Sequence, residues 1–120
     1  MESIKHAKLL TIAIPVYNGG DALIQSVKSC YNINIDSKDF EILIVDNCSN
    51  DNSIEKLNKY KSKIPIRIVH NEKNFGRIGN WNRCLDLALG KYILFLFSNK
   101  LIYEKNQISE MTDFLENNKK

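Results

Sequence analysis

Cysteine and histidine are scarce, and neither occurs in a pattern that would cross-link the chain or bind a metal ion. The three cysteines, Cys30, Cys48 and Cys84, are odd in number and show no CxxC spacing. A disulfide framework and a zinc site are therefore not expected, and free thiols in a reducing compartment are predicted. His6 and His70 have no metal-ligating partner at a useful spacing, so neither is assigned a role.

Long apolar stretches are also missing. The longest apolar run covers residues 92–97, which is far too short to cross a bilayer, and residues 1–8 lack the apolar core of a signal peptide. We therefore predict a cytoplasmic location. The basic pair Lys119 and Lys120 is interpreted as a frayed end, and the alternative is peripheral attraction to an anionic surface at the inner face of the membrane.

Neither sign of charge dominates. The 120 residues include 17 Lys or Arg and 14 Asp or Glu, which gives a net charge of +3, and the lysines are scattered along the chain. A nucleic-acid partner is therefore not expected. A composition of 43% hydrophobic and 26% charged residues is typical of a folded globular chain, and the length predicts a single domain over residues 1–120.

Four short apolar runs are present, at residues 9–15, 40–45, 64–69 and 92–97. Nearly continuous apolar runs of this length are typical of strands that are buried on both faces of a parallel sheet. The third run contains Pro65 and Arg67 and alternates more, which predicts an edge strand.

Apolar residues at helical spacing lie after each run. The third of these helices is predicted to end at Gly90, and Trp81 and Cys84 are interpreted as core residues. The order β-α-β-α-β-α-β-α predicts an α/β, Rossmann-like fold with a mainly parallel sheet flanked by helices. The positions that define the four helices are Leu23, Val27 and Cys30; Ile54, Leu57 and Tyr60; Ile78, Trp81, Leu85 and Ala88; and Ile108, Met111 and Leu115.

Polar and turn-forming residues cluster where the predicted strands end, at residues 15–18, 46–51, 70–74 and 98–100. In open parallel sheets the ligand lies beyond the carboxyl ends of the strands. The pattern therefore predicts a binding site built from these four stretches, although the pattern alone names no ligand.

Several stretches, in order and at matching spacing, carry a resemblance to a known family. They read TIAIPVYN at 11–18, FEILIVDNCSND at 40–51, NEKNFG at 71–76 with GNWNRC at 79–84, and GKYILFL at 90–96. The series resembles the N-terminal, nucleotide-sugar-binding half of family-2 glycosyltransferases with the GT-A fold, over residues 9–103. The resemblance implies inverting transfer of a sugar from a nucleoside-diphosphate sugar, a UDP-sugar first, to an acceptor in polysaccharide or glycolipid synthesis.

The resemblance also implies which residues bind the nucleotide. Pro15, Tyr17 and Asn18 would line the base and ribose pocket, and Tyr17 would stack on the base because aromatic faces attract nucleobases. Asp46 would accept hydrogen bonds from the base or the ribose. The alternatives are an ordinary rim aromatic for Tyr17 and a turn-forming carboxylate for Asp46, while Asp51 is interpreted as a helix N-cap.

The same resemblance places Asn74 and Arg77 near the base and the phosphates, with Arg77 available for an anion. The alternative for Arg77 is a solvated cation at a helix start. Asn99 and Lys100 are placed in the predicted nucleotide-sugar site because they fall at the positions of the family's metal motif.

That metal motif is where the chain departs from the family. The family pattern DxDD or xSDD is replaced by FSNK at residues 97–100, and no Asp or Glu occurs between Asp86 and Glu104. Mg²⁺ and Mn²⁺, which the family normally uses, prefer carboxylate oxygens, so no metal site of the family type and no cofactor are predicted. One hypothesis is that the Lys100 ammonium replaces the metal, and the alternative is a decayed site.

The chain ends one helix after that motif, before the acceptor half and the general base of the family. We therefore expect an apparently truncated GT-A domain with impaired transfer, and no catalytic residue is assigned. The alternative is a non-catalytic pseudoenzyme module that binds a nucleotide or a partner. A receiver-type signalling domain is disfavoured, because no acidic pair follows the first strand. An exposed edge of the fourth strand, at residues 92–97, predicts a homodimer or poor solubility unless the terminal helix covers that edge.

Overall fold

Strands and helices alternate along the chain in the predicted order. The structure is a computed structural model that describes residues 6–59 and 66–118. Its strands are β1 (Lys8–Val16), β2 (Phe40–Asp46), β3 (Ile66–His70) and β4 (Gly90–Phe95). Its helices are α1 (Gly20–Ser29), α2 (Ser53–Asn58), α3 (Gly76–Leu87) and α4 (Lys105–Asn117).

The strands form one parallel sheet in the order β3-β2-β1-β4. In this register Ile12 lies beside Ile42 on one side and beside Leu94 on the other. β1 and β2 are therefore the inner strands, and their residues are almost all buried. The α/β class with a parallel sheet is confirmed, as is the position of β3 at an edge, while Pro65 lies outside the described residues.

Helices cover the two faces of the sheet unequally. Ile12 and Ile14 of β1 join a large core with apolar residues of α1, α2 and α4, such as Leu23. Ala13 points to the opposite face and joins a small core to which α3 contributes Cys84. Because side chains alternate along a strand, β1 supports both cores.

Two helices bury a different face from the one that their apolar spacing predicts. In α3, Ile78 and Leu85 are 61% and 50% exposed, while Asn80 is buried. In α4, Met111 is exposed and Thr112 is buried. The two helices are present as the spacing predicts, but the buried face of α3 contains the hydrogen-bonded Asn80 amide together with Cys84. Tyr60, which was predicted in the second helix, lies outside the described residues.

Gly90 begins a strand and does not end a helix. α3 ends at Leu87, and Gly90 is the first residue of β4. A Cβ at this position would lie 2.3 Å from the backbone nitrogen of Thr11, so the two strands approach too closely for any side chain. The prediction that Gly90 ends a helix is therefore wrong, and the glycine is needed where β4 approaches β1.

β4 forms the other edge of the sheet, and within the described residues it pairs with β1. The Tyr92 hydroxyl donates to Glu116 of α4 at 2.6 Å, which ties the end of α4 to this strand. Association through the β4 edge stays a prediction. No helix within residues 6–59 and 66–118 combines the length and the apolar character that crossing a bilayer needs.

A buried ion pair joins three strands at the amino end of the sheet. Glu41 accepts hydrogen bonds from the Thr11 hydroxyl at 2.7 Å, the Leu89 amide at 2.8 Å and the Arg67 Nε at 3.1 Å. Burial alone would raise the pKa of Glu41, but the hydrogen bonds from Arg67, Thr11 and Leu89, with the charge of Arg67, outweigh burial and lower that pKa. Glu41 is therefore ionised and fully bonded in the fold.

Candidate functional site

A cleft of about 700 Å³ opens at the carboxyl end of the sheet, where the polar stretches were predicted to meet. It lies between the turn after β1, the start of α3 and the segment after β4. The residues that line it are Pro15, Val16, Tyr17, Asn18, Gly19, Asn47, Asn74, Arg77, Asn80, Trp81, Phe97, Ser98 and Asn99. Six of the eight sequence-predicted site residues are in this lining, namely Pro15, Tyr17, Asn18, Asn74, Arg77 and Asn99.

The turn between β1 and α1 is held by the side chain of Asn18. Asn18 adopts a left-handed conformation with φ of 53°, which asparagine tolerates better than most residues. Its side-chain oxygen accepts hydrogen bonds from the backbone amides of Asn50 at 2.8 Å and Asp51 at 3.2 Å. Asn18 therefore joins the loop after β2 to the turn after β1.

Asp51 acts at the start of α2 and not in the cleft. Its carboxylate accepts hydrogen bonds from the Ser53 hydroxyl at 2.6 Å, the Ser53 amide at 3.2 Å and the Gly20 amide at 3.2 Å. The hydrogen bond from the Ser53 side chain is the main reason that the pKa of Asp51 is lowered. Asp51 does serve the helix start as interpreted, although the N-cap position itself is Asn52.

An asparagine cluster, formed by Asn47, Asn71, Asn74 and Asn80, joins the loops around the cleft. The Asn47 side-chain nitrogen donates to Asn74 Oδ1 at 3.0 Å, and its oxygen accepts from Asn71 Nδ2 at 3.0 Å and from the Phe75 amide at 2.9 Å. Asn47 thereby connects the end of β2 to the loop before α3. Sequence reasoning missed Asn47 and Asn80, since side-chain amides serve turns, caps and ligands equally well.

The rest of the asparagine cluster fixes α3 to the sheet. Asn71 Nδ2 donates to Asn80 Oδ1 at 2.8 Å, and Asn80 Nδ2 donates to the carbonyl oxygen of Val45 at 3.1 Å. Arg83 adds a hydrogen bond from its Nε to Asn71 Oδ1 at 3.2 Å. Each of these hydrogen bonds is directional, so together they give the start of α3 a defined position beside the cleft.

Asn47→Ala is expected to lower the free energy of unfolding by about 2 kcal/mol, because the Phe75 amide loses its partner and Asn71 Nδ2 and Asn74 Oδ1 each lose one of two hydrogen bonds. Urea unfolding followed by circular dichroism measures the change. Asn58→Ala, at an exposed position on α2, is the control and is expected to change stability little. Equal effects of the two substitutions would contradict the role assigned to Asn47.

Three aromatic side chains form the apolar part of the cleft. Tyr17 is 51% exposed, and the rings of Trp81 and Phe97 lie 5.5 Å apart at an interplanar angle of 44°. The interpretation of Trp81 as a core residue is wrong, because the indole is only half-buried and lines the cleft. The core interpretation of Cys84 is confirmed by its complete burial.

Arg77 provides the one charged side chain of the cleft lining, and that lining includes neither a carboxylate nor a histidine. Arg77 is exposed and occupies the second position of α3, after Gly76, which has a φ of 78°. Tyr17, Asn18 and Asn74 add neutral polar groups around it. The cleft can therefore accept an apolar ring and an anionic group at the same time.

Two predicted site residues, Asp46 and Lys100, lie outside the lining. Asp46 is buried and has partners on both oxygens, His70 Nδ1 at 3.0 Å and the Ser49 amide at 3.1 Å. Lys100 is exposed, and its carbonyl oxygen accepts a hydrogen bond from the Ser26 hydroxyl. The ligand roles of Asp46 and Lys100 stay predictions.

The residues after β4 do not fit the divalent ion that the family normally uses. Ser98 and Asn99 offer only neutral oxygens to the cleft, and Lys100 carries a positive charge beside them. Within the part of the chain that the structure describes, no group of three His, Cys, Asp or Glu side chains could hold a metal ion. No step of the chemistry is therefore assigned to a metal ion here.

The cysteines are free thiols in this structure. Burial raises the pKa of Cys30 to about 12 and that of Cys84 to about 11, so both thiols stay protonated and unreactive at neutral pH. Cys48 is exposed in the loop after β2, and its thiol donates to the carbonyl oxygen of Asn71 at 3.2 Å.

Comparison with known proteins identifies relatives that match most of the chain. The family model described as "Glycosyl transferase family 2" matches residues 11–120. A poly(ribitol-phosphate) beta-glucosyltransferase of Bacillus spizizenii is 36% identical over 95 residues, which cover 78% of this chain and 15% of that protein. The poly(ribitol-phosphate) beta-N-acetylglucosaminyltransferase TarP of Staphylococcus aureus is 31% identical over 101 residues, which cover 82% of this chain and 30% of TarP.

Solved structures show the same architecture. The crystal structure of S. aureus TarS 1-349 in complex with UDP superposes with a TM-score of 0.82 at 25% sequence identity. The match covers 91% of this chain and 32% of that chain. This chain therefore spans less than a third of the length of each of these three relatives.

Proposed function

The chain belongs to glycosyl transferase family 2, and from that premise we propose that its cleft binds the nucleoside diphosphate of a sugar donor, a UDP-sugar first. The observation that supports this most is the composition of the cleft, which combines aromatic walls, neutral amides and a single guanidinium at the carboxyl end of a parallel sheet. TarS, to which the chain is similar, was crystallised in complex with UDP.

The proposed position of the base is against Tyr17. The Tyr17 ring is half exposed at the turn after β1, and this turn is fixed by Asn18 and its contacts to the loop after β2. A fixed, exposed aromatic face is suited to stacking on a nucleobase, which contributes about 1–3 kcal/mol for each stacked base.

The proposed reaction is an inverting glycosyl transfer. The bond between the anomeric carbon of the sugar and the diphosphate oxygen breaks, and the nucleoside diphosphate leaves with the bonding electron pair. The acceptor hydroxyl oxygen bonds to the anomeric carbon from the opposite side, and its proton passes to a base. Because the lining has neither a carboxylate nor a histidine, we assign this chain the binding and orientation of the donor, with impaired transfer by the 120 residues alone.

The acceptor belongs, in this proposal, to cell-surface polysaccharide or glycolipid synthesis. Its support is that two relatives are poly(ribitol-phosphate) glycosyltransferases. A cytoplasmic location and attachment to the inner face of the membrane stay predictions.

A non-catalytic module that binds a nucleotide or a partner is the second candidate, and the absence of carboxylates from the cleft lining favours it. The release of UDP from a UDP-sugar in the presence of poly(ribitol phosphate) separates the two candidates. Slow release that still exceeds the spontaneous rate, as impaired transfer would give, supports the transferase, and tight UDP binding without any release above that rate supports the non-catalytic module.

Isothermal titration with UDP, GDP and dTDP tests the proposed ligand. We expect UDP to bind most tightly and Tyr17→Ala to weaken that binding by about 1–3 kcal/mol. Tyr103→Ala is the matched control, since Tyr103 is 86% exposed and lies outside the cleft lining. Failure of all three nucleotides to bind the wild-type chain would refute the proposed function.

A further inference from the structure

We propose that this chain holds the diphosphate of its donor without a divalent cation, and that the Arg77 guanidinium takes the place of the metal charge. This inference rests on the proposed function, because it concerns how the same cleft neutralises the same ligand. A diphosphate that enters a cleft must find positive charge or directed donors there, since desolvating an anion without them is costly.

The first support is the charge of the lining. A divalent ion needs several hard oxygen ligands, and carboxylates are the ones that proteins supply most often. The cleft lining contains no carboxylate, and Arg77 is its one charged side chain. The charge of the lining therefore favours direct contact with an anion over the binding of a cation.

The second support is that the two carboxylates of the stretch 46–51, which includes the cleft residue Asn47, already have partners. Asp46 is bonded to His70 and to the Ser49 amide. Asp51 is bonded to Ser53 and to the Gly20 amide. Recruiting either carboxylate to a metal ion would break contacts that shape the loops around the cleft.

The third support is that the guanidinium of Arg77 is available to a ligand, while its backbone is held in place. Arg67 is bonded to Glu41 and Arg83 is bonded to Asn71, whereas no ion pair of Arg77 occurs in the described ranges 6–59 and 66–118. Its backbone is fixed because Asn74 Oδ1 accepts a hydrogen bond from the Gly76 amide at 2.8 Å. An exposed guanidinium on a fixed helix start can bind two phosphate oxygens at once.

Lys100 is the rival for this role, and the structure favours Arg77. Arg77 lines the cleft, while Lys100 lies outside the lining on a turn that Ser26 holds through the carbonyl oxygens of Ser98 and Lys100. The assignment therefore moves from the residue at the family's metal position to a residue at the start of α3.

UDP titrations of the full 120-residue chain, in EDTA and in Mn²⁺, test the inference. We expect the same dissociation constant in both buffers. Arg77→Ala is expected to weaken UDP binding about 10- to 100-fold, which corresponds to loss of a charge-assisted hydrogen bond, and to weaken UMP binding much less. Arg77→Lys should restore part of the affinity, because it returns the charge without the planar fork.

Lys38→Ala is the matched control, since it removes one positive charge from the exposed turn before β2, at the end of the sheet opposite the cleft. Tighter binding of UDP in Mn²⁺ would overturn the metal-free inference and leave the proposed function intact. A larger loss in Lys100→Ala than in Arg77→Ala would overturn the assignment to Arg77. Failure of UDP to bind in both buffers would overturn the proposed function together with this inference.

Discussion

Gly90→Ala is expected to remove most of the cooperative stability of the chain. The added Cβ would lie 2.3 Å from the Thr11 nitrogen, 2.6 Å from the Leu10 carbonyl carbon and 2.8 Å from the Thr11 hydroxyl oxygen. Two of these atoms belong to the backbone of the inner strand β1, so the steric clash can be relieved only if β4 moves away from β1. Overpacking of this kind costs about 3 kcal/mol or more, a large share of the stability of a small domain.

Gly20→Ala is the control for the Gly90 substitution. A Cβ at Gly20 meets no atom within 4 Å, so the cost is only the left-handed backbone conformation, about 1 kcal/mol. Urea unfolding of both variants, followed by circular dichroism, gives the comparison. A Gly90→Ala variant that unfolds as cooperatively as Gly20→Ala, and at the same urea concentration, would contradict the close approach of β4 to β1.

Arg67→Met is expected to destabilise the chain by about 3 kcal/mol at neutral pH, because it leaves the buried Glu41 carboxylate without its countercharge. The estimate is at the low end for a broken buried pair, because the Arg67 side chain is 35% exposed and Glu41 keeps hydrogen bonds from Thr11 and Leu89. Glu41→Gln combined with Arg67→Met is expected to recover part of the loss, since a neutral amide needs no countercharge.

The pH dependence of the free energy of unfolding shows whether Arg67→Met acts through the lost ion pair or only through lost packing. The pKa of Glu41 in the fold lies below its ordinary value of 4.5, so the stability from the pair is complete above that value and is lost as pH falls through the lowered pKa. Arg67→Met removes the hydrogen bond and the charge by which Arg67 lowers the pKa of Glu41, so that pKa rises from its wild-type position and the stability gap to the wild type narrows in acid. A gap that stays constant from neutral to acid pH would contradict the account.

The strands were the most predictable part of the fold. Their apolar runs are nearly continuous because β1 and β2 are buried on both faces, and runs of this length suit strands better than helices. The burial of α3 was not predictable from spacing. The helix contacts the sheet through the Asn80 side chain as well as through Cys84, and the apolar Ile78 and Leu85 are exposed.

The position of the cleft was predictable from the sequence, but not all of the residues that form it. Tyr17 and Arg77 were assigned from residue type and from the resemblance, and both line the cleft. Asn47 was missed because its role depends on hydrogen bonds to residues 24 to 28 positions away, which leave no local pattern. Trp81 was assigned to the core because large aromatics usually pack there, and only the position of Phe97 shows that the indole faces the cleft.

Trp81 offers the most direct test of the central claim that a nucleoside diphosphate binds in this cleft. It is the only tryptophan of the chain, and it lines the cleft, so its fluorescence reports on this site alone. We predict a saturable fluorescence change on titration with UDP, with the same dissociation constant as the heat of binding gives. UDP binding that is detected by heat but leaves the Trp81 fluorescence unchanged would place the nucleotide elsewhere and contradict the account.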